Sequence, residues 1–448
     1  MRSVPVVGAG LAGSEAAWQL AEAGLPVRLY EMRPVVKTAA HRGDRCAELV
    51  CSNSLGSLLP DRAAGVLQAE LEALGCGLLE IARATAVPAG AALAVDRDAF
   101  AAAVTTALET HPNIELVREE VLAVPDDPVC VLASGPLTSE PLAADLQRLA
   151  GEEHLHFFDA LAPVVTAESL DLEILFAAAR WDAGEPDYLN IPLEREDYER
   201  LIDGLLASER HALKDFEAAD PRAMPFFERC LPVEVLAARG REALRFGPLR
   251  PVGLRHPRTG ERPYAVIQLR AENRDRTLYN LVGFQTNLRY PEQEKLLRAL
   301  PGMADAEFVR LGSMHRNTFL RAPKLLTAGL EWRERPGLFV AGQITGMEGY
   351  LGNIGSGLLA GRNAARRVFG IEPELLPRST LLGALAAHVA EAPAKNFQPM
   401  KAEFGLLPPI ETSARKAERN RLRAERSAAD LAAHIQINPR PCAALTPA

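Results

Sequence analysis

Short apolar runs that end in glycine recur along the chain. Val4 to Val7 runs into Gly8, Val129 to Ala133 into Ser134-Gly135-Pro136, and Leu338 to Ala341 into Gly342. Runs of this length bounded by turn residues read as strands buried on both faces, and such strands belong to parallel sheets. Between strands at Val4 to Val7 and Val27 to Glu31, an apolar helical pattern over about Ala12 to Ala23 predicts a βαβ beginning, and a further helix is expected from near Ser139. From about Trp181 to Arg316 the pattern changes. Segments such as "PYAVIQLRAEN" and "LYNLVGFQTNL" alternate apolar and polar positions, as half-buried strands do. No internal repeat is visible.

Gly8, Gly10 and Gly13 form GxGxxG after a strand and at the start of a helix, with Ala17 and Gly24 extending the spacing. The glycines give a tight turn, close approach to a pyrophosphate and close helix packing, while the helix amino terminus favours anionic charge. Gly8, Ala9, Gly10, Leu11, Ala12 and Gly13 are therefore expected at a dinucleotide, with Glu31 accepting from its ribose hydroxyls. Gly135, at the turn after the second run, is expected beside them. A second glycine-rich element, "GLFVAGQITGMEGYLGNIGSGLLAGRNAAR", is uncharacteristic of simple nicotinamide dehydrogenases. It resembles the late strand of glutathione-reductase-type flavoproteins, with Gly342-Gln343 where those carry Gly-Asp, and so favours FAD. The expected fold class is α/β: a Rossmann-like FAD-binding domain built from residues 1–180 and 316–448, with an α+β domain inserted over 181–315 and a helical tail.

Composition narrows the class. At 448 residues and 48% hydrophobic content, the chain suits a folded protein of two or three domains, and no run reaches the roughly 18 apolar residues a membrane helix needs. It reads as mature, cytoplasmic sequence. Six cysteines without a CxxC pair suggest neither a zinc site nor a disulfide framework. A net charge of −8 argues against indiscriminate polyanion binding, yet Arg239 to Arg276 holds ten arginines against four acidic residues. With Phe246 and Tyr264 interleaved, that stretch suits an RNA surface, and a salt-bridged, solvated face is its bland alternative. The tail "TSARKAERNRLRAERSAADLAAHI" predicts a basic, solvent-exposed helix.

The late glycine-rich element, together with "ELVCSNSL", "ASGPLTS", "FFERCLPVE", "RPYAVIQLRAEN", "LYNLVGFQTNL" and "LGSMHRNTF", closely resembles the folate- and FAD-dependent tRNA (uracil-5-)-methyltransferase family, over residues 1 to about 370. The resemblance implies methylation of carbon 5 of a T-loop uridine, position 54, in tRNA. Methylenetetrahydrofolate would supply the carbon, and NADPH or NADH would reduce the FAD. A related family, the wobble-uridine carboxymethylaminomethyl-modifying flavoproteins, is the alternative, as is a ribosomal-RNA target within the same family. A small-molecule flavin oxidoreductase and an RNA-remodelling flavoprotein remain as readings of other classes.

Carbon 5 of uracil is a poor nucleophile until a thiolate adds to carbon 6. Of the six cysteines, Cys51 and Cys230 match the family's two functional cysteines; Cys230 is expected as nucleophile and Cys51 as acid/base, or the reverse. Arg229 lies beside Cys230, and His41 and Arg45 lie upstream of Cys51, as sources of thiolate activation. Cys130, inside an apolar strand, reads as core filler, as do Cys46, Cys76 and Cys442. His315, Arg316 and Asn317 are candidates for phosphate or the target base, with a domain-junction network as their plain alternative. Glu348 and Tyr350 are candidates for the folate ring, against ordinary packing on the sheet.

Overall fold

In the computed structural model, the structure describes residues 2–38, 41–151, 155–160, 162–180, 186–211, 231–273, 275–312 and 314–442. The apolar runs form one five-stranded sheet in the order Leu338–Val340, Cys130–Leu132, Val4–Val7, Val27–Tyr30, Ile114–Val117. Every pairing in it is parallel, with Val6 opposite Val131 and Val4 opposite Val27. The edge strand Ile114–Val117 was not singled out in the sequence, because it is only half buried and lacks the continuous apolar run of its neighbours. The carboxyl ends of three of these strands converge on Gly8, Ser134-Gly135 and Gly342, as the glycine turns predict.

Two helices lock this sheet. Leu11–Glu22 follows the first strand, and Tyr350–Val368 carries the late glycine-rich sequence. They meet at backbone distance: a Cβ on Gly357 would lie 2.1 Å from the Ala12 carbonyl oxygen, and one on Gly361 would lie 2.6 Å from that of Ala16. The spacing of four residues puts both glycines on one helix face. The two glycine-rich stretches are thus partners in packing, far apart in sequence.

Buried carboxylates pin the helices around this pair. Glu15, fully buried, accepts from the backbone N–H groups of Gly77 and Leu78 at the start of helix Gly77–Ala84, and from the Cys76 thiol. Glu70 does the same for Leu381 and Leu382 at the start of helix Leu381–Glu391, and also accepts from Ser427. The helical tail, Lys416–Ile437, is therefore not solvated all round as expected. It buries Asn420, Ser427 and Leu431 against the body, because Ser427 and Leu431 fall on one face.

A second, antiparallel sheet has the order Phe176–Ala177, Tyr188–Leu193, Ala265–Ala271, Leu278–Leu281, Val164–Thr166, Phe308–Arg310. Helices Arg195–Ala207, Val233–Ala238 and Tyr290–Arg298 contribute to its own apolar core, which includes Ile191, Ile202, Ile267 and Leu281. This is the expected α+β layer, but it takes strands from Val164 onward, ahead of the boundary at 181. The short run Val164–Thr166 carries too little pattern to declare its sheet. The chain crosses between layers on the paired strands Leu155–Ala160 and Met314–Phe319. A third, three-stranded antiparallel sheet, Ser54–Ser57 with Ala92–Val95 and Ala86–Val87, sits directly after Cys51.

Substituting Gly357→Ala should lower stability by about 1–3 kcal/mol or more, the usual range for overpacking, and should reduce bound flavin in step. Thermal unfolding and the flavin-to-protein absorbance ratio check this.

Candidate functional site

At the carboxyl ends of the parallel strands lies a cleft with about 1260 Å³ of empty space, partly open to solvent. Gly8, Gly10, Leu11, Ala12, Glu31, Gly135, Gly342, Gln343 and Tyr350 line it, so nine residues singled out in the sequence come together here. Ala9 and Gly13 act one layer behind. The Ala9 N–H donates to Glu31 Oε2 at 3.2 Å, and a Cβ on Gly13 would lie 1.7 Å from the Gly8 carbonyl oxygen. Gly8, at φ +96°, is also hemmed in, by Ala133. By contrast, a Cβ on Gly10 or Gly135 would meet nothing within 4 Å. The backbone does not demand glycine at Gly10; the space there is what a pyrophosphate needs to approach the first turn of helix Leu11–Glu22.

Glu31 is held ionised. Burial pushes its carboxyl up, but the Arg33 guanidinium and the N–H groups of Arg33 and Ala9 outweigh burial and keep it below the usual carboxylate range. Its Oε1 accepts from Arg33 Nε at 2.8 Å and from the Arg33 N–H at 3.0 Å, while Oε2 accepts, among the described residues, from Ala9 alone, which leaves a lone pair for a ribose hydroxyl. Arg33, itself buried, also reaches Glu48 at 3.0 Å. Arg33 was missed in the sequence, where an arginine two places after a carboxylate carries no signal.

On the opposite wall, the Gly342 N–H donates to Ser356 Oγ at 2.7 Å, and Gln343 Nε2 donates to Glu348 at 2.9 Å. Glu348 is buried and is not among the cleft-lining residues; it faces Gln343. Asn353, on helix Tyr350–Val368, lines the cleft, and its Oδ1 is buried without a hydrogen-bond partner among the described residues. It is a missed candidate inside a stretch the sequence had singled out for its glycines. An orphaned acceptor, open glycine positions, a free helix amino terminus and a ribose acceptor together fit a dinucleotide of the FAD type.

Tyr350 has an unexpected task. Its hydroxyl accepts from the backbone N–H of Cys51 at 2.9 Å and of Ser52 at 3.1 Å. Cys51 itself lines neither cleft; it is half-buried and tied by its backbone to the cleft-lining Tyr350, on a loop whose Glu48 and Val50 line the flavin cleft on one side and a second cleft on the other. That second cleft, with about 1420 Å³ of empty space, lies between the two layers and is lined by Arg42, Arg45, Arg97 and Arg310 among others. The cations that bond the Cys51 backbone are Arg97 and Arg310, and not the upstream Arg45, which turns to the Asp98 carbonyl. Three of the other described cysteines behave as core: burial pushes the Cys46 thiol up to about 11 and the Cys130 thiol up to about 12, and it raises Cys76 as well, whereas Cys442, expected as core filler, is only half-buried.

Cys230 lies outside the described residues. His315, Arg316 and Asn317 lie on the crossover strand, opposite Asp159, Phe158 and Phe157, and their side chains are likewise outside the description. The arginine-rich stretch is mixed. Phe246 is 77% exposed, with Arg245 5.5 Å from its ring centroid, whereas Arg270 is buried and Arg241 is paired with Asp203.

Comparison with known proteins places this geometry. The family Glucose inhibited division protein A, GIDA, matches residues 3–372. A relative from Thermosynechococcus vestitus is 55% identical over 93% of this chain and 90% of its own length, and one from Geobacter sulfurreducens is 53% identical over 96% and 98%. Both are named methylenetetrahydrofolate--tRNA-(uracil-5-)-methyltransferase TrmFO. The chain belongs to the TrmFO family. The crystal structure of Aquifex aeolicus GidA shares the fold, at a TM-score of 0.68 and 18% identity, covering 97% of this chain and 73% of that one. No helix among the described residues is long and apolar enough to cross a membrane.

Glu31→Gln should weaken FAD binding by about tenfold or more, because it leaves the buried Arg33 without its nearest carboxylate. The Glu31 carboxyl lies below its ordinary 4.5 in the folded protein, so its contribution is complete above that value and is lost as pH falls through the folded value. Flavin affinity followed by fluorescence should accordingly fall in the native chain as pH drops below the ordinary carboxylate range, and that pH-dependent step should be missing from the variant, which starts from the weaker affinity at neutral pH.

Proposed function

We propose that this chain methylates carbon 5 of a uridine in tRNA, taking the carbon from methylenetetrahydrofolate, with the T-loop uridine at position 54 as target. The observation that carries the reading is identity above half, over more than nine-tenths of this chain, with relatives named for that reaction, in a chain whose cleft-lining Tyr350 bonds the Cys51 backbone. Bound FAD, reduced by NADPH or NADH, supplies the electrons that complete the methyl group. The chain's residues bind and orient. The first helix and Glu31 take the dinucleotide, the Gly342-Gln343 turn and Asn353 close its far side, and Tyr350 presents the Cys51 loop to the cleft.

A thiolate adding to carbon 6 makes carbon 5 nucleophilic, and a second group removes the carbon 5 proton before the thiolate leaves. Cys230 is the proposed nucleophile and Cys51 the proposed acid/base. His315, Arg316 and Asn317 are proposed at the RNA, and Glu348 with Tyr350 toward the folate, Glu348 acting through Gln343. A T-loop uridine is stacked in folded tRNA and has to be extracted to reach either thiol. The cleft between the layers, with its arginines, offers the approach, and the site of action is the cytoplasm, where such RNA is processed.

The test is transfer of labelled carbon from methylenetetrahydrofolate to unmodified tRNA with FAD and NADPH, followed by nucleoside mapping. Label in 5-methyluridine at the T loop is expected; label confined to ribosomal RNA or to a wobble uridine replaces the target. Cys51→Ala and Cys230→Ala should each abolish transfer while keeping normal flavin content, and full activity in either removes that cysteine from the mechanism.

A further inference from the structure

We infer that Arg97 and Arg310 are positioning residues for Cys51, a pair of guanidinium groups from separate parts of the chain that converge on its carbonyl oxygen and fix where its thiol lies. Arg97 opens helix Arg97–Thr110 beside the flavin layer, and its Nη2 donates to the Cys51 carbonyl at 3.0 Å while its Nη1 donates to that of Leu49. Arg310 ends the strand Phe308–Arg310 of the second sheet. Its Nη2 donates to the same Cys51 oxygen at 3.4 Å and to the Ala162 carbonyl at 3.2 Å, and its Nη1 donates to Val50 at 3.2 Å. With Tyr350 accepting from the Cys51 N–H, both polar backbone groups of this one residue are held by side chains distant in sequence. A loop otherwise leaves such groups to water.

Neighbouring contacts tighten the clamp. Glu272, buried, takes an ion pair from Arg97 and a bond from Asn280, and so aims the Arg97 guanidinium. Asn53, two residues past the cysteine, donates to the carbonyls of Val95 and Ala271 and accepts from Arg270 Nε at 2.8 Å. Arg310 makes no ion pair within 4 Å among the described residues, and burial, then Arg97, pulls its guanidinium down to about 10, so it stays protonated at neutral pH. A half-buried cation held chiefly against carbonyl oxygens is costly to keep for stability alone. Its five-donor fork spans three carbonyls, which an ammonium group cannot reproduce. The charged and titratable groups around the loop among the described residues include Arg97, Arg310, Arg270, Arg42 and Glu272, the loop's own Glu48 with its partner Arg33, and the Tyr350 hydroxyl.

The inference rests on Cys51 being a working thiol. The experiment uses the full chain with bound FAD and the variants Arg310→Gln, Arg310→Lys and Arg97→Lys. Flavin content is read first, then kcat and KM for tRNA, then the rate of Cys51 alkylation by iodoacetamide, read by peptide mass spectrometry with Cys442 as internal control. A misplacement of a reacting group by about 1 Å costs up to about a hundredfold. Arg310→Gln should therefore lower kcat by at least about tenfold with KM for tRNA within about twofold, and should change Cys51 alkylation while leaving that of Cys442 alone. The lysine variants should recover only part of kcat. If Arg310→Gln does not retain flavin, the lysine variants decide alone, by the same kcat and alkylation readouts. Unchanged kcat with unchanged Cys51 alkylation overturns the inference, as does a raised KM with kcat intact, which would make Arg310 an RNA contact. Methyl transfer by Cys51→Ala would sink the role of the thiol instead, while altered alkylation in the arginine variants would still report the clamp.

Discussion

Everything in the flavin layer depends on two helices touching backbone to backbone. Helix Leu11–Glu22 can offer its amino terminus to a pyrophosphate only if something covers its outer face without pushing it off the sheet, and Tyr350–Val368 does so through Gly357 and Gly361. Because that second helix begins at Tyr350, the same contact sets where the tyrosine hydroxyl lies, and through it the amide edge of the Cys51 loop. A cofactor cradle and a thiol are thereby referred to one rigid interface, which suits chemistry that needs reacting groups held within a fraction of an ångström.

The second sheet is joined to this frame at the cysteine. Asn53 bonds Arg270 and Ala271, Arg97 pairs with Glu272, and Arg310 bridges Val50, Cys51 and Ala162. The loop from Glu48 to Asn53 is thus the seam between the layers, with a cleft on either side. Side chains from both layers therefore hold this one loop by its backbone.

Buried carboxylates do opposite jobs in the same body. Glu31 and Glu272 face arginines and are held as anions below the usual range, against the push of burial. Glu15 and Glu70 face only N–H, O–H and S–H donors at helix starts, and burial wins, raising both. The difference is the presence of a full cation, whose attraction in a poorly hydrated site exceeds what neutral donors supply.

The sequence by itself determined the parallel sheet, its glycine turns and the nine cleft-lining residues, because strand burial and phosphate approach impose local rules on residue type and spacing. It also assigned Cys130 correctly to the core, whereas the choice of Cys51 and Cys230 as the working thiols rests on resemblance alone. It did not reveal that the second sheet starts at Val164, since a three-residue strand has too little periodicity to register. Nor did it show that the tail helix packs by Ser427 and Leu431, that Asn353 is an orphaned acceptor, or that Arg97 and Arg310, rather than Arg45, bond the cysteine loop. Those facts belong to tertiary structure alone: an arginine is a generic surface residue until folding brings it, from 46 or 259 positions away, within bonding distance of one carbonyl oxygen.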